Sequence, residues 1–559
     1  MPLSLLLLST VVAAPFAIAS TMAKLPAQHA PPDIVLVNGK IITVDERFTI
    51  AEAIAVTGER ILAVGTDEEI TRLAGQGTRW IDLEGKAVIP GLIDNHMHLL
   101  RAGLTWRREV RWDGVGSRKQ ALAMLRARTN DAGPDEWVFN LGGWTRDQFA
   151  DDASSFTRDE LDGVAPDHPV LLQAAYYETY LNSRAIESLR LEERDEPWIG
   201  RDPTGRPTGV IEEPGVGTIA AELPVLDPPA DEVEASTMSM FRDLNRAGLT
   251  SVGSAGCEPE LIERYRAWAD EGRLSLRVFC ITSFPAGTPQ EVDDVLTRIA
   301  AMKLFEGDHD IDWIAYGEGV YRPLHDPMFL LESDPTPDEL AQWRRLTTEV
   351  ARAGLPLHVH ANLKTTIGAF LDQIERIHRE YPIDRLRWAL AHFNEPSSSQ
   401  LERMKSLGMH AAVHPWAVIN GGIQHRVYGE AAHEMPPLRM IQDSGIAWGL
   451  GSDGSRANQV LPMVTLGWAV TGRMVGGNRV LRQTISREDA LIAHTRGSAH
   501  LVFQEKNLGT IEAGKLADLV VLDRDYLTVD ADQIKDTTSV LTMVGGRIVY
   551  SSVASPVSR

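Results

Sequence analysis

Two histidines, His96 and His98, stand at the end of an apolar stretch that reads Val88-Ile-Pro-Gly-Leu-Ile-Asp-Asn-His-Met-His. Residues two positions apart on an extended strand point to the same side, so both imidazoles can reach one point in space. Imidazole nitrogen is a common ligand of Zn²⁺, and Asp94, on the same side, can orient or supplement the pair. Histidines at a strand end can also be purely structural, so this metal site needs support from elsewhere in the chain.

That support comes from three later positions. His360 and His392 each end a segment with the composition of a buried strand, and Asp453 closely follows another. If those strands are parallel, their carboxyl ends meet at one rim, where barrel enzymes place catalytic groups. The combined donor set of imidazole nitrogen and carboxylate oxygen suits Zn²⁺, with Fe²⁺ or Mn²⁺ as alternatives.

The elements that would position these side chains alternate between strand-like and helix-like segments. After the first apolar stretch, strands are predicted at residues 249–253, 275–281, 312–316, 355–360, 387–392, 410–414 and 447–451. Together with the segment that begins at Val88 they make eight, the number in a closed (β/α)₈ barrel. Further strand-like segments with glycine turns lie near both ends of the chain, at residues 33–64 and 509–550.

The phrase Pro-Gly-Leu-Ile-Asp-x-His-x-His, which ends at His98, resembles the amidohydrolase superfamily. Within it, residues from about 33 to 550 are similar to amidohydrolase family 3, the branch that contains N-substituted formamide deformylase-like metal-dependent hydrolases. The resemblance implies an α/β fold, a (β/α)₈ TIM barrel with one or two divalent metals at its C-terminal mouth.

The resemblance also implies a domain layout. Residues 33–87 and 505–553 would form a small β-sandwich domain from both chain ends, and residues 88–504 the barrel. An insertion after the first barrel strand, about residues 101–235, would cover the mouth.

The resemblance assigns roles to the candidate residues. His96, His98, His360 and Asp453 would hold a metal, and His392 would bind a second metal or contact substrate. Hydroxide formed at the metal would attack a carbonyl carbon, because such ions lower the pKa of bound water from 15.7 to about 7. Asp453 would carry the proton to the leaving nitrogen, and His392 would be the second catalytic residue.

The chain departs from the family on the fourth strand. Many members have a carboxylated lysine there that bridges two metals, whereas this chain has Ile314 at that position. Glu318 has the same strand parity but lies about 13 Å further along at the usual rise per residue. We therefore expect one metal ion, with zinc preferred, and leave open whether Glu318 replaces the lysine.

Further residues are candidates for the substrate pocket. Tyr177 stands where the family commonly has a histidine, and His414 ends the seventh predicted strand. Trp144, Trp416 and Glu318 complete this set. Ordinary core packing is the alternative interpretation of the aromatic residues.

Composition limits the partners. The 559 residues carry a net charge of −22, which argues against nucleic acid or anionic membrane as the main partner and leaves a small-molecule substrate. Residues 2–19 are almost wholly apolar, which predicts a signal peptide over residues 1–19 and a periplasmic or secreted enzyme. A membrane anchor or a mispredicted start codon are the alternatives, and without a genuine signal peptide the enzyme would be cytoplasmic. The two cysteines, Cys257 and Cys280, are expected to be small buried side chains rather than a disulfide framework.

The sequence thus favours a metal-dependent hydrolase of a non-peptide C–N bond in an amide or N-acyl group. Alternatives on the same metal site are a deaminase and a cyclic-amide or ester hydrolase. A catalytically inactive secreted binding protein is a third possibility, which the intact set of Asp453 and four histidines opposes. A homodimer is expected by analogy with the resembled family.

Overall fold

The computed structural model describes residues 30–328 and 334–552. The predicted signal peptide, residues 1–19, lies outside these ranges. Within them, no helix combines the length and the apolar composition needed to cross a membrane.

The described chain begins with short strands that divide between two sheets. One sheet has the order β5-β4-β1-β6, while β2, β3 and β7 join a sheet completed by the end of the chain. The elements are β1 (Ile34–Val37), β2 (Lys40–Ile42), β3 (Ile50–Ala51), β4 (Ala53–Thr57), β5 (Arg60–Gly65), α1 (Asp67–Thr71), β6 (Arg79–Asp82) and β7 (Ala87–Pro90).

The stretch that begins at Val88 is two strands, not the single strand that its composition predicted. Strand β7 ends at Pro90, and β8 (Leu92–Met97) starts the barrel. Gly91 separates them, and its N–H donates to the Asp518 carbonyl at 2.9 Å. A Cβ at Gly91 would lie 2.1 Å from Thr250 Oγ1, so only glycine fits where the chain passes between the two sheets.

An insertion follows β8 and carries its own sheet, with the strand order β12-β13-β11-β10-β9. Its strands are β9 (Val138–Leu141), β10 (Val170–Ala174), β11 (Glu178–Leu181), β12 (Ile199–Arg201) and β13 (Pro207–Glu212). The helices from β8 to the next barrel strand are α2 (Leu99–Thr105), α3 (Arg118–Asp131), α4 (Arg158–Val164), α5 (Ser183–Ser188), α6 (Gly215–Ala221) and α7 (Ala230–Arg246).

The barrel continues as parallel strands in chain order from β8, which form an eight-stranded sheet in the described part of the chain. The later strands are β14 (Leu249–Ala255), β15 (Arg277–Thr282), β16 (Ile311–Glu318), β17 (Leu357–Ala361), β18 (Ala389–His392), β19 (His410–Val413) and β20 (Trp448–Leu450). They alternate with α8 (Pro259–Asp270), α9 (Val292–Ala301), α10 (Pro337–Arg352), α11 (Lys364–Glu380), α12 (Ser398–Ser406), α13 (Ala417–Tyr428) and α14 (Leu438–Ser444). The helices α15 (Pro462–Thr471), α16 (Arg487–Ile492) and α17 (Ser498–Leu501) follow β20.

Helix α10 shows how local sequence fixes these elements. Thr336 accepts from the Glu339 N–H at 3.3 Å, and the Glu339 carboxylate accepts from the Thr336 N–H at 2.9 Å, which satisfies two N-terminal donors. The residues Trp343, Leu346 and Val350, spaced three and four apart, are buried on one face. The cap sets where α10 begins, and the apolar face holds it against the barrel.

Hydrogen bonds between the first strand and the segment after the last one bring the two edges of the barrel sheet together. Asp453 N–H donates to the His96 carbonyl at 2.9 Å, and His98 N–H donates to the Gly454 carbonyl at 2.7 Å. The Ser452 N–H donates to the Asp94 carboxylate at 2.8 Å. The contacts that bring the barrel's edges together therefore also set the positions of candidate ligands.

The end of the chain returns to the strands at its start. Strands β21 (Leu519–Leu522), β22 (Ser539–Val544) and β23 (Arg547–Ser551) complete the sheet β23-β22-β21-β7-β2-β3. Apolar side chains from both ends, including Leu36, Ile54, Leu519 and Met543, share one buried cluster. The predicted fold class is confirmed, and the division of the chain at particular residues stays a prediction.

The two cysteines are joined, contrary to the expectation of unpaired buried thiols. Cys280 lies in β15 and Cys257 follows β14, the neighbouring strand, with 5.6 Å between their Cα atoms. The turn after β14 brings Cys257 back, since the Gly256 N–H donates to the Ile281 carbonyl at 3.1 Å. Burial was predicted correctly, but the pairing depends on two strands being adjacent, which the spacing of two cysteines does not reveal.

We expect reduction of the Cys257–Cys280 disulfide to lower the free energy of unfolding by about 3 kcal/mol, because it reopens a loop across a sequence separation of 23 residues. Denaturant titration with and without reductant measures this change. The Cys257→Ala, Cys280→Ala double variant is the control and should not respond to reductant. Two freely titratable thiols in the oxidised native protein would contradict the assignment.

Candidate metal centre

Histidines and carboxylates converge at the carboxyl ends of five barrel strands. They are His96 on β8, His98 directly after it, Glu318 at the end of β16, His360 on β17, His392 on β18 and Asp453 after β20. All are buried except His98, whose side chain is 19% exposed.

His96 and His98 point at the same two carboxylates, as their spacing predicted. Their Nε2 atoms both lie 3.6 Å from Glu318 Oε2. They lie 3.8 Å and 3.5 Å, respectively, from Asp453 Oδ1. The two imidazoles therefore share one polar space between Glu318 and Asp453.

Glu318 belongs to this cluster, although its distance along the strand from Ile314 made it a poor substitute for the lysine. Its Oε1 lies 3.0 Å from His392 Nε2 and 3.3 Å from His360 Nδ1. Strand β16 runs to Glu318, two residues past the predicted segment, and pairs it with Val359 beside His360. Ile314 instead packs in an apolar cluster with Ile93, below the level of the histidines.

Asp453 is held by the loop that follows β19. The Trp416 indole N–H donates to Asp453 Oδ2 at 2.7 Å, and His392 Nδ1 lies 3.5 Å from the same oxygen. The Trp416 and His392 rings stack with their centroids 4.9 Å apart. His414 Nδ1 lies 2.7 Å from His392 Nδ1, so it touches a candidate ligand rather than standing apart from the site.

Two residues near His360 were missed by sequence reasoning. Asp326 Oδ1 lies 2.7 Å from His360 Nε2, and the His325 and His360 rings are 3.8 Å apart. Burial opposes the charged imidazole, but hydrogen bonds to Asp326 and Glu318 raise the pKa of His360 to about 10. Both missed residues lie in a loop after β16, where no strand-end pattern marks them.

A deeper layer fixes the orientation of His96. Its Nδ1 lies 2.8 Å from His358 Nε2, and its backbone N–H donates to Asp94 at 3.1 Å. Burial lowers the pKa of His358 to about 4, which keeps this ring neutral. Burial also raises the pKa of Asp94 to about 7. Asp94 thus orients the backbone that carries His96, and orienting the histidines was one of the two roles predicted for it.

Two other candidates lie in the insertion. Trp144 has no exposed surface and packs against Trp112, with 4.5 Å between ring centroids. Tyr177 is half-buried, and desolvation raises its pKa with a further contribution from Glu213. The structure places Trp144 in the core of the insertion, where its indole nitrogen has no hydrogen-bond partner among the described residues.

The donor set fits a divalent cation. Three overlapping groups of described residues each hold their ligand atoms within 4.8 Å of one another. The first group is His96, His392 and Asp453, and the second is His96, His98 and Glu318. The third is Glu318, His325 and His360. His96 Nε2 is buried without a hydrogen-bond partner in the described structure. The residues present therefore suit zinc or a similar metal, and Asp326 on the far nitrogen of His360 is a typical orienting carboxylate.

Comparison with known proteins points in the same direction. A model described as the amidohydrolase family matches residues 79–550. The chain is 26% identical to N-substituted formamide deformylase of Arthrobacter pascens over 94% of this chain and 99% of that protein.

Solved structures share the fold. An uncharacterized metal-dependent hydrolase from Pyrococcus furiosus superposes with a TM-score of 0.61 at 24% identity, covering 89% of this chain and 100% of that one. An adenosine deaminase from Xanthomonas campestris with bound zinc gives a TM-score of 0.52 at 14% identity, covering 93% of each chain.

We expect the purified protein to carry a divalent metal and the Glu318→Gln variant to lose at least one equivalent, because a neutral amide is a weaker ligand than a carboxylate. Elemental analysis after gel filtration measures the content. Glu380→Gln, an exposed change in α11, is the matched control. Equal metal content in Glu318→Gln and wild type would remove Glu318 from the centre.

Proposed function

The chain belongs to the amidohydrolase family and is a hydrolase of carbon–nitrogen bonds other than peptide bonds, and from that premise we propose that it cleaves an amide or N-acyl group. One observation carries the proposal: four histidines, Glu318 and Asp453 converge in a buried space at one end of the barrel. The formamide deformylase named above, which is similar over nearly its whole length, supports the choice of an N-acyl substrate.

The converging residues would hold zinc, and we propose two ions rather than one. The preference for one ion rested on the absent lysine, whereas Glu318 supplies a carboxylate at the point where two of the ligand groups overlap. His98 and His360 lie on opposite sides of Glu318, at its Oε2 and Oε1 respectively. When bound, such metals lower the pKa of water and polarise a carbonyl group.

We assign the proton transfer to Asp453. Trp416 donates to Oδ2, and Oδ1 faces the Nε2 atoms of His96 and His98. A carboxylate held in this way can accept a proton from the attacking water and pass it to the leaving nitrogen. Trp416 is then a positioning residue, because it fixes which oxygen of Asp453 faces the reaction.

His392 is the second catalytic candidate. Its Nε2 contacts Glu318 and its Nδ1 contacts His414, so the ring is held at both nitrogens. From this position His392 would bind a metal ion together with His96 and Asp453, or it would contact the carbonyl oxygen of the substrate. His414 sets its orientation, since the two Nδ1 atoms, 2.7 Å apart, must consist of one donor and one acceptor.

We also propose that the enzyme works outside the cytoplasm. The predicted signal peptide and the Cys257–Cys280 disulfide support this, because disulfides persist mainly in oxidising compartments. Fractionation of the producing cells should place the activity in the periplasm or medium. Recovery of all activity in the cytoplasm with residues 1–19 retained would contradict the proposal.

We expect Asp453→Asn to lower kcat by about 10²- to 10⁴-fold, because an amide cannot accept and return the proton. Trp416→Phe should lower kcat by roughly tenfold, since it leaves Asp453 in place but frees its Oδ2. Rates are measured as release of amine from N-formyl and N-acetyl substrates, with metal content determined on the same samples.

Asp443→Asn, an exposed change on α14, is the matched control and should match the wild-type rate. Unchanged kcat in Asp453→Asn with its metal retained would overturn the role of Asp453. Release of ammonia from amino-substituted rings, without turnover of any amide, would replace the proposed function with deamination.

A further inference from the structure

Arg101 carries an unsatisfied guanidinium, and its helix begins directly after the candidate ligand His98. It lies in the first turn of α2, three residues after His98. Its Nε and Nη2 atoms are shielded from solvent and have no hydrogen-bond partner in the described structure. No carboxylate of the described residues forms an ion pair with it.

Arg456 is also unpaired, and a hydrogen bond from the His98 N–H to the Gly454 carbonyl, at 2.7 Å, joins its segment to the start of α2. It follows Asp453 by three residues, and its side chain makes no hydrogen bond or ion pair with the described part of the chain. Burial lowers the pKa of Arg456, and the positive charge of Arg101 lowers it further. Tyr176 and Glu109 act on the pKa of Arg456 in the opposite direction, and Glu109 is itself bonded to Arg111 and Thr105.

The Arg456 backbone is held firmly under the insertion. The Gly143 N–H donates to the Arg456 carbonyl at 2.9 Å. A Cβ at Gly142 would lie 2.4 Å from the same oxygen, so the two segments are in close contact. The loop after Asp453 is therefore pinned between the barrel and the insertion, which keeps Arg456 from moving away with its whole segment.

Other arginines in the protein interior behave differently. Arg111 pairs with Asp113 at 2.9 Å, and Arg277 pairs with Asp518 at 2.9 Å. Arg118 likewise pairs with Glu160. A desolvated charge is normally paired. The shielded Nε and Nη2 of Arg101, with Arg456 as a second guanidinium near it and no carboxylate bonded to either, indicate an anion that is not part of the chain.

We propose that Arg101 and Arg456 bind the carboxylate of the substrate, which makes the substrate an amide with a carboxylate near the scissile bond, as in an N-acyl amino acid. This rests on the proposed function and adds the substrate class. Each arginine is three residues from a candidate site residue, Arg101 from His98 and Arg456 from Asp453. The guanidinium fork matches the two oxygens of a carboxylate.

The test compares two substrates that differ only in the carboxylate: N-formylphenylalanine and N-formylphenethylamine. Wild-type enzyme should prefer the acid by roughly 100-fold or more in kcat/KM, because each charged hydrogen bond contributes about tenfold or more. Arg101→Met and Arg456→Met should each lose at least about tenfold with the acid and little with the neutral amide. Arg107→Met, an exposed change just after α2, is the matched control.

Binding gives a readout that does not depend on turnover. Calorimetric titration of N-formylphenylalanine into the Asp453→Asn protein should show binding that either arginine substitution weakens by about tenfold. Without ligand, neither substitution should lower Tm, because each removes an unpaired charge. A lower Tm with unchanged ligand affinity would assign the arginines a structural role and overturn the proposal.

The outcomes separate this inference from the proposed function. Equal turnover of both amides would overturn the carboxylate site and leave amide hydrolysis intact. Failure to hydrolyse any amide, together with arginine-dependent binding of the acid, would support the carboxylate site and contradict the proposed function.

Discussion

The structure depends on the burial of two carboxylates, Glu318 and Asp453, among imidazoles with no lysine or arginine paired to them in the described chain. Buried charge of this kind is unfavourable unless a cation compensates it. Histidines on neighbouring strands supply the nitrogen donors that hold such a cation. The site is therefore suited above all to binding a cation, and the proposed hydrolysis depends on that cation.

The barrel imposes this arrangement through its register. Parallel neighbours place Glu318 beside His360 and bring His392 into the same layer. Hydrogen bonds between β8 and the segment after β20 fix His96 against Asp453. Gly142 and Gly143 of the insertion lie in close contact with the backbone of the loop that carries Arg456. Rigid strands hold most of the candidate metal ligands.

The sequence predicted the barrel and most of the centre because strand ends with histidine leave a clear local pattern, as at His96, His360 and His392. It failed where the answer depends on contacts between distant segments. Whether Glu318 contacts the histidines depends on where β16 ends. Asp326 lies in a loop, where no strand pattern in the sequence predicts its position. The pairing of Cys257 with Cys280 requires adjacent strands. The sequence likewise does not show that Arg101 has no carboxylate partner among the described residues, because ion pairing depends on which residues are neighbours in three dimensions.

Anomalous diffraction at the absorption edge of the bound metal tests the central claim most directly. Crystals of the enzyme, purified without chelators, should give two peaks beside the Glu318 carboxylate, about 3.5–4 Å apart as in other two-metal sites. One peak should lie on the side of His98 and the other on the side of His360. Peaks elsewhere in the molecule, or none between Glu318 and Asp453, would contradict the account.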